Sequence, residues 1–495
     1  MSHWPHLSRR LFLRTSALAG VAIMAACAPK ATPEPTKPAE KAAGQAAPTA
    51  TPVPAAPTAT PKPAAPTATA VPAKKEPIPI KYWIFWNQPS VCEAAWRATD
   101  EWKQMEADGL QIEFRTGAGG DAGKTAVAAG TPPDVGCLGP QLDFALGGVL
   151  LDLNPFVDAS SKIKRDMFFK ESFDNATWKD MQFGIPALEC YVRLGLDYNE
   201  RMVSEVGLDP DNPPATWEEM FEWHKKLTKF DAAGNLLQFG IDPYDAMMSS
   251  GPHYASAWTI SMLWDFNDWW NPTDGTININ QPHFVEGLQT CADFIKVIGV
   301  DNLQGIRTVE GQGTWGGSYN AEVQAMIIEG YWHPGETAKE KPEVSKVNRA
   351  SWVPVPAWRA GDKVQCYTSH ATSLYRDGEH AKEAFPVMEF QQCKAHLDIL
   401  FNEIGWLPAL KDYIAQVKPI FPGLDFYLKS ASEATSRYTD PRMPISTFVG
   451  DQFANYREKV NREEMTAQEA ADAIQKAVEQ EWEESGWKER WAAGG

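Results

Sequence analysis

Two periods of hydrophobic patterning alternate along this chain. Ile80-Lys81-Tyr82-Trp83-Ile84-Phe85-Trp86 is a short, mostly apolar run, as in a buried strand. From Cys92 to Ala107 the residues Ala95, Trp96, Thr99, Trp102 and Met105 recur at helical spacing, which predicts a helix over 92–107. Leu110 to Phe114 reads as a second strand. A Gly-rich loop, a short Ala-rich helix and a strand opened by Pro133-Asp134-Val135 follow. Strand, helix, strand in succession implies an α/β fold, with a parallel sheet covered by helices. Further along, Thr216 and Glu219 have the spacing of a capping box. The helix they open continues through Met220, Phe221, His224 and Leu227. Thr466 and Glu469 repeat the device ahead of an apolar stripe of Ala467, Ala470, Ile474, Ala477, Val478 and Trp482.

The N-terminal part follows another pattern. Ser8-Arg9-Arg10-Leu11-Phe12-Leu13-Arg14 has the form of a twin-arginine export signal. An apolar run from about Leu18 ends in Met24-Ala25-Ala26-Cys27, which looks like a lipobox. That run is shorter than the roughly 20 residues of a membrane-spanning helix. Together these features predict a signal peptide over 1–26 and cleavage before Cys27. Lipid on Cys27 would then anchor the chain to the cell membrane, outside the cytoplasm. Residues 28–77 are nearly all Ala, Pro and Thr, and the hexapeptide Ala-Ala-Pro-Thr-Ala-Thr occurs at 46–51, 55–60 and 64–69. So few apolar residues cannot offset the entropy of ordering, so 27–77 is expected to be a disordered, extended linker.

The remainder, 78–495, is longer than one hydrophobic core usually supports, and two lobes are expected. Acidic residues outnumber basic ones, 64 to 46, for a formal charge of −18. An acidic surface argues against nucleic acid as a partner. Beyond Cys27 the cysteines Cys92, Cys137, Cys190, Cys291, Cys366 and Cys393 are scattered without a C-x-x-C pair. No metal site is expected from them, and buried thiols and disulfides both stay open. Ala118-Gly-Gly-Asp-Ala-Gly123-Lys124-Thr125 nearly fits a phosphate-binding loop between strand and helix. An exported protein meets no nucleotide pool, however, and no apolar strand ends in an Asp placed for magnesium. A turn is the expected role. Gly311-Gln-Gly313-Thr-Trp-Gly316 lacks a preceding strand. H-E-x-x-H and G-x-S-x-G are both absent. A carboxylate pair for glycoside cleavage meets in space and stays open.

A series of motifs runs in one order across the ordered part. It comprises Ala129-Gly130-Thr131-Pro132-Pro133-Asp134-Val135, Leu151-Asp152-Leu153-Asn154-Pro155, and Phe183-Gly184-Ile185-Pro186 with Tyr198-Asn199. Next come Pro214-Ala215-Thr216-Trp217-Glu218-Glu219, Ala325-Met326 with Gly330-Tyr331-Trp332, Val353-Pro354-Val355-Pro356, and Gly405-Trp406-Leu407-Pro408. The series resembles the extracellular solute-binding proteins of ABC importers, in the sugar-binding branch typified by maltose-binding protein. The resemblance implies two lobes joined by crossing strands, a ligand cleft, closure about a hinge, and delivery to permease subunits. It implies a monomer with no catalysis and no cofactor. Lobe one is expected at 78–190 plus 348–403, and lobe two at 191–347 plus 404–495.

The chain has 20 Trp in 495 residues. Sugar rings stack their C–H faces on aromatic side chains while their hydroxyls take polar partners. Trp86, Asn87 and Gln88 end the first strand, where parallel sheets bind ligands. The resemblance adds Gln141 and Asp143 after the third strand, and Glu189 and Tyr191 near the first crossing. It also adds Trp332 as a stacking residue, and Trp406 after the last crossing. Tyr367 to His370 ends another expected strand. Trp258 stands for the several lobe-two tryptophans of which one or two should reach the cleft. A carbohydrate is the expected ligand. Peptide or polyamine binding, a tethered glycan hydrolase and a sensor are the alternatives.

Overall fold

The computed structural model describes residues 76–495, apart from 140, 244–262, 267, 310–316, 368–369, 440–441 and 493–495. The expected signal peptide, Cys27, nearly all of the expected linker and Trp258 lie outside the described residues.

Strand β1 (Ile78–Ile84) lies second in the first sheet. It pairs in parallel with β2 (Leu110–Arg115), Ile78 opposite Leu110, and with β3 (Val135–Cys137), Tyr82 opposite Val135. Ile80, Tyr82 and Ile84 turn inward, while Trp83 turns outward beneath the Arg115 guanidinium at 4.5 Å. The Pro133-Asp134 step acquires a clear purpose. Buried Asp134 accepts the backbone N–H of Lys81 (2.8 Å) and of His380 (2.7 Å), fixing the edge of β3. The sheet is mixed rather than wholly parallel. β4 (Ile185–Pro186) and the later strand Ala371–Leu374 close it antiparallel, in the order β2, β1, β3, Ala371–Leu374, β4.

The helix expected over 92–107 is two helices, Glu93–Ala98 and Asp100–Ala107. Thr99 breaks it: its extended backbone (ψ 154°) lets its hydroxyl cap the second helix by accepting from the Trp102 N–H. Both expected capping boxes form, opening the helices Trp217–Leu227 and Ala467–Glu484.

The second sheet has β5 (Gly195–Asn199) in the middle. It is flanked antiparallel by β6 (Met326–Glu329) and β7 (Asn348–Ser351). β8 (Val364–Cys366) pairs in parallel with a later strand, Ser436–Tyr438. Two hydrophobic cores result. The first gathers residues from Ile80 to Val192, then Tyr331, Trp332, and Tyr367 to Ala431. The second gathers Leu194 to Ile328, Val353 to Cys366, and Met443 to Trp482.

This packing differs from the expected lobe limits of 348–403 and 404–495. Residues 348–366 belong with the second core, because β7 is an edge strand of its sheet, Asn348 opposite Asn199. Residues 404–431 belong with the first. The helix Lys394–Ile404 ends at Gly405 in the left-handed region (φ +81°), which turns Trp406 and Leu407 back onto that core.

Three passages between the cores lie side by side. Val192 bridges Tyr367, the Tyr331 N–H donates to Val192 O at 3.2 Å, and the Arg193 N–H donates to Cys366 O at 3.0 Å. Side chains add a seam between the cores. Arg437 faces Glu171 at 3.8 Å, and Arg442 donates to the carbonyls of Asp174 (2.5 Å) and Thr177 (2.8 Å). The Thr447 hydroxyl donates to Asp143 Oδ2 at 3.1 Å. Trp178 meets Trp491 of the last helix (Trp487–Ala492) at 5.6 Å, and Trp491 also packs on Trp270 and Trp482. Among the described residues no helix is long and apolar enough to cross a membrane.

Candidate functional site

Where the parallel strands end, β1 delivers Trp86. Its carbonyl accepts the N–H of Gly117 at 3.0 Å, and Phe85 N–H donates to Cys137 O at 2.9 Å. Strand geometry thus holds Trp86 beside the C-terminal end of β3. The Trp86 ring stands edge-on to His370 (4.6 Å, 80°) and to Trp406 (5.3 Å, 74°). Such edge-to-face pairs are favourable by about 0.5–1.5 kcal/mol beyond area burial.

His370 Nδ1 bonds the Glu189 carbonyl at 3.1 Å and the Glu189 carboxylate Oε2. Both partners are acceptors, so Nδ1 carries the hydrogen. Glu189 Oε1 is buried and has no hydrogen-bond partner. Trp406 donates its indole N–H to Glu336 Oε1 at 2.6 Å, and Glu336 Oε2 is likewise buried without a partner. Burial pushes the Glu336 carboxyl well above the usual range, against the lowering effect of the Trp406 bond, with Glu340 and Glu189 adding to the rise. Burial thus favours the protonated form of Glu336.

Trp332 opens the helix Trp332–Glu340 and donates its indole N–H to Glu329 Oε2 at 2.7 Å. A Cβ on Gly330 would fall inside the Trp332 ring, so that position requires glycine. Gly335 and Gly405 are in backbone contact, which lets this helix approach Trp406.

The sequence-derived candidates thus separate. Trp86, Glu189 and Trp406 converge, and Trp332 lies close by in the same core. Trp332 and Trp406 are only 4% and 2% exposed, so Trp86 and His370 form the more open side of the cluster. Tyr191 and Tyr367 are fully buried in an aromatic run, Tyr367–Phe169–Tyr191–Tyr331–Trp332, with ring centroids 5.5–6.0 Å apart. Their hydroxyls donate to the carbonyls of Leu428 and Ala431 respectively. Gln141 donates to the Ala371 carbonyl, tying the helix Gln141–Leu146 to the sheet. Asn87 is exposed and packs against Gly117 (φ +64°), while half-buried Gln88 starts a short 3-10 turn. Asp143, on that same helix, is raised by burial and meets Thr447 across the seam.

Glu336 and Glu329 join the cluster without having been singled out, and His370 joins it after being named only as the end of an expected strand. Glu336 had a signal: it lies four residues after Trp332, on one helical face. His370 had only its place at a strand end, since its partner Glu189 is far away in sequence. Among the described residues no group of His, Cys, Asp and Glu could hold a metal ion.

This two-lobe architecture, with a polar and aromatic cluster where parallel strands end beside the crossings, defines a solute-binding protein. The bacterial extracellular solute-binding protein family matches residues 86–391, and the chain belongs to that family. An sn-glycerol-3-phosphate-binding periplasmic protein from Agrobacterium fabrum is 34% identical over 101 residues, 20% of this chain and 22% of that protein. A lipoprotein encoded in the oleD 5′ region of Streptomyces antibioticus is 24% identical over 329 residues, 63% of this chain and 66% of that protein. The chain thus covers less than two thirds of either relative. Among solved structures, mannotriose-bound CpMnBP1 shares the fold with a TM-score of 0.67 at 17% identity, over 80% of this chain and 99% of that one. The sugar-binding protein MalE of Xanthomonas citri does so with a TM-score of 0.61 at 16% identity, over 84% and 99%.

Proposed function

We propose that the chain is a membrane-tethered binding protein that captures a mono- or oligosaccharide between its lobes and delivers it to an ABC permease. The observation that carries this reading is the cluster of Trp86, Trp406, His370 and Glu189 at the strand ends. Aromatic rings beside carboxyl and imidazole groups suit the alternation of C–H faces and hydroxyls on a sugar. CpMnBP1 with mannotriose and MalE of Xanthomonas citri share the fold, which supports a saccharide as the ligand class.

The ligand contacts groups from both lobes and so favours the closed state by its extra contacts there. Trp332, Tyr191, Tyr367, Gln141, Asn87 and Gln88 act around this centre, as contacts or as supports. The role requires no covalent step, and the working unit is a monomer. The twin-arginine pattern, a lipid on Cys27 and the Pro-rich stretch, all read from the sequence, support a location outside the cytoplasm on the cell membrane.

A second reading is a phosphorylated polyol, favoured by the Agrobacterium relative. A thermal-shift panel separates the two, with oligosaccharides, glycerol 3-phosphate, peptides and polyamines. A ligand at 1,000 times its Kd adds about 4 kcal/mol to the folded state. A saccharide-only shift supports the first reading, and a shift with glycerol 3-phosphate alone replaces it. Anchoring is tested separately: Cys27→Ser should move the chain from the membrane fraction to the soluble one.

A further inference from the structure

We infer that Gln365 is a positioning residue of the hinge: its side-chain amide couples the first and last passages between the cores, so that the two bend as one unit. The inference rests on capture by closure of the lobes, and not on the ligand being a saccharide. The backbone ladder between these passages is short. Val192 bridges Tyr367, and the Arg193 N–H donates to Cys366 O at 3.0 Å. One residue further, the ladder runs through a side chain. There β8 pairs with the strand Ser436–Tyr438, Gln365 opposite Arg437, and β5 begins only at Gly195. The Gln365 amide fills the gap. Its oxygen accepts the Leu194 N–H at 2.8 Å, and its NH2 group donates to the Leu194 carbonyl at 3.0 Å. One side chain thus gives Leu194 both bonds that a facing strand would give.

The rest of the amide is engaged as well. Its oxygen also accepts the Cys366 N–H at 2.9 Å, and its NH2 group also donates to Ser430 Oγ at 2.8 Å. Two hydrogens and two lone pairs are all that a primary amide carries, and all are used. The network fixes the amide's orientation, because turned over it would set its NH2 against two N–H donors. Gln365, Leu194 and Ser430 are all buried, so breaking this stitch leaves polar groups unpaired in a place closed to water, which is costly. Ser430 lies on the helix Leu424–Glu433, and its hydroxyl donates to the Tyr427 carbonyl at 3.0 Å. Tyr427 and Ala431 of that helix belong to the first core, whereas Leu194 and Val364 belong to the second. The amide therefore sits where the cores meet. Sliding one passage past the other would break its bonds, and a joint twist keeps them. Without the amide the passages move separately. The range of lobe arrangements widens, and the share of molecules able to close on a ligand falls.

The test is the distribution of distances between two spin labels in the ligand-free full chain. One label stands on each lobe, at Glu101→Cys and Lys476→Cys, both exposed positions on helices. Cys27→Ser and Cys393→Ser keep label off other thiols. Gln365→Met keeps the size of the side chain and removes all four bonds. It should broaden the distribution at least about twofold relative to the parent. Gln182→Met is the control for simple loss of stability. That buried amide donates to the carbonyls of Phe173, Ala176 and Gly184, away from the passages. Its loss should lower the melting temperature and leave the width unchanged. A parental width in Gln365→Met overturns the inference, and so does equal broadening by Gln182→Met. Should Gln365→Met not fold, Gln365→Asn is read in its place. Its amide stops one methylene short of Leu194, so the same broadening is expected, and a parental width again overturns the inference. No ligand is added, so the outcome is independent of the saccharide reading, which the thermal-shift panel tests.

Discussion

Trp406 and Glu336 are joined by an indole N–H to carboxyl bond of 2.6 Å inside a fully buried pair. The bond sets the plane of the ring that Trp86 meets edge-on. Glu336→Leu removes the acceptor and leaves the indole N–H unpaired, which costs about 1–3 kcal/mol. We expect weaker saccharide binding and a shifted tryptophan emission. Glu336→Gln keeps a neutral acceptor and should bind like the parent. A loss as large in the Gln variant as in the Leu variant would show that the ionised acid is needed, against the burial argument.

Gly330→Ala is expected to be among the most damaging small substitutions. The added methyl would occupy the space of the Trp332 ring. Overpacking of this kind costs about 1–3 kcal/mol. Thermal melting of the purified variant measures it, and an unchanged melting temperature would mean that Trp332 moves aside freely.

Asp197 gives a pH dependence. It is buried, accepts from Asn348 Nδ2 at 2.9 Å and from the Tyr427 hydroxyl, and burial raises it from 3.8 to about 7. The native state holds its proton more tightly than the unfolded chain does. Its contribution to stability is therefore complete below about pH 4 and is lost as pH rises through about 7. Relative to wild type, Asp197→Asn should gain stability between pH 5 and pH 8. Parallel denaturation curves for the two proteins across that range would contradict the assignment.

Trp491 joins the last helix to Trp178 across the seam between the cores. Trp491→Ala removes ring contacts worth about 0.5–1.5 kcal/mol each without touching the cluster around Trp86. We expect a change of several-fold in saccharide affinity, through the equilibrium between lobe arrangements, with the binding enthalpy per contact site preserved. Scattering curves identical to wild type, with and without ligand, would show that the seam does not govern that equilibrium.

Local signals proved readable, and long-range ones did not. The capping boxes at Thr216 and Thr466 were legible because the bonds they make span three residues. The strand over 80–84 and the Asp134 motif were legible from apolar runs and motif order. Thr99 was hidden, since its neighbours keep helical spacing on both sides of the break. The lobe limits near 348 and 404 depended on which sheet a short segment joins, a pairing across 149 residues for Arg349 and Glu200. Trp86, Glu189 and Trp406 were singled out by residue type and by position at strand ends and crossings, and they lie together in the structure. Tyr191 and Tyr367 have the same chemistry but point into the aromatic run, and orientation is not written in residue type. The bond from His370 to Glu189 crosses 181 residues, so a strand-end position marked His370 but not its partner.

The most direct test is a calorimetric titration of wild type and Trp86→Ala with the saccharide that most raises the melting temperature. The account predicts saturable one-to-one binding by wild type and an affinity at least about tenfold lower in the variant. Equal binding by both proteins, or binding confined to a peptide or polyamine, would contradict it.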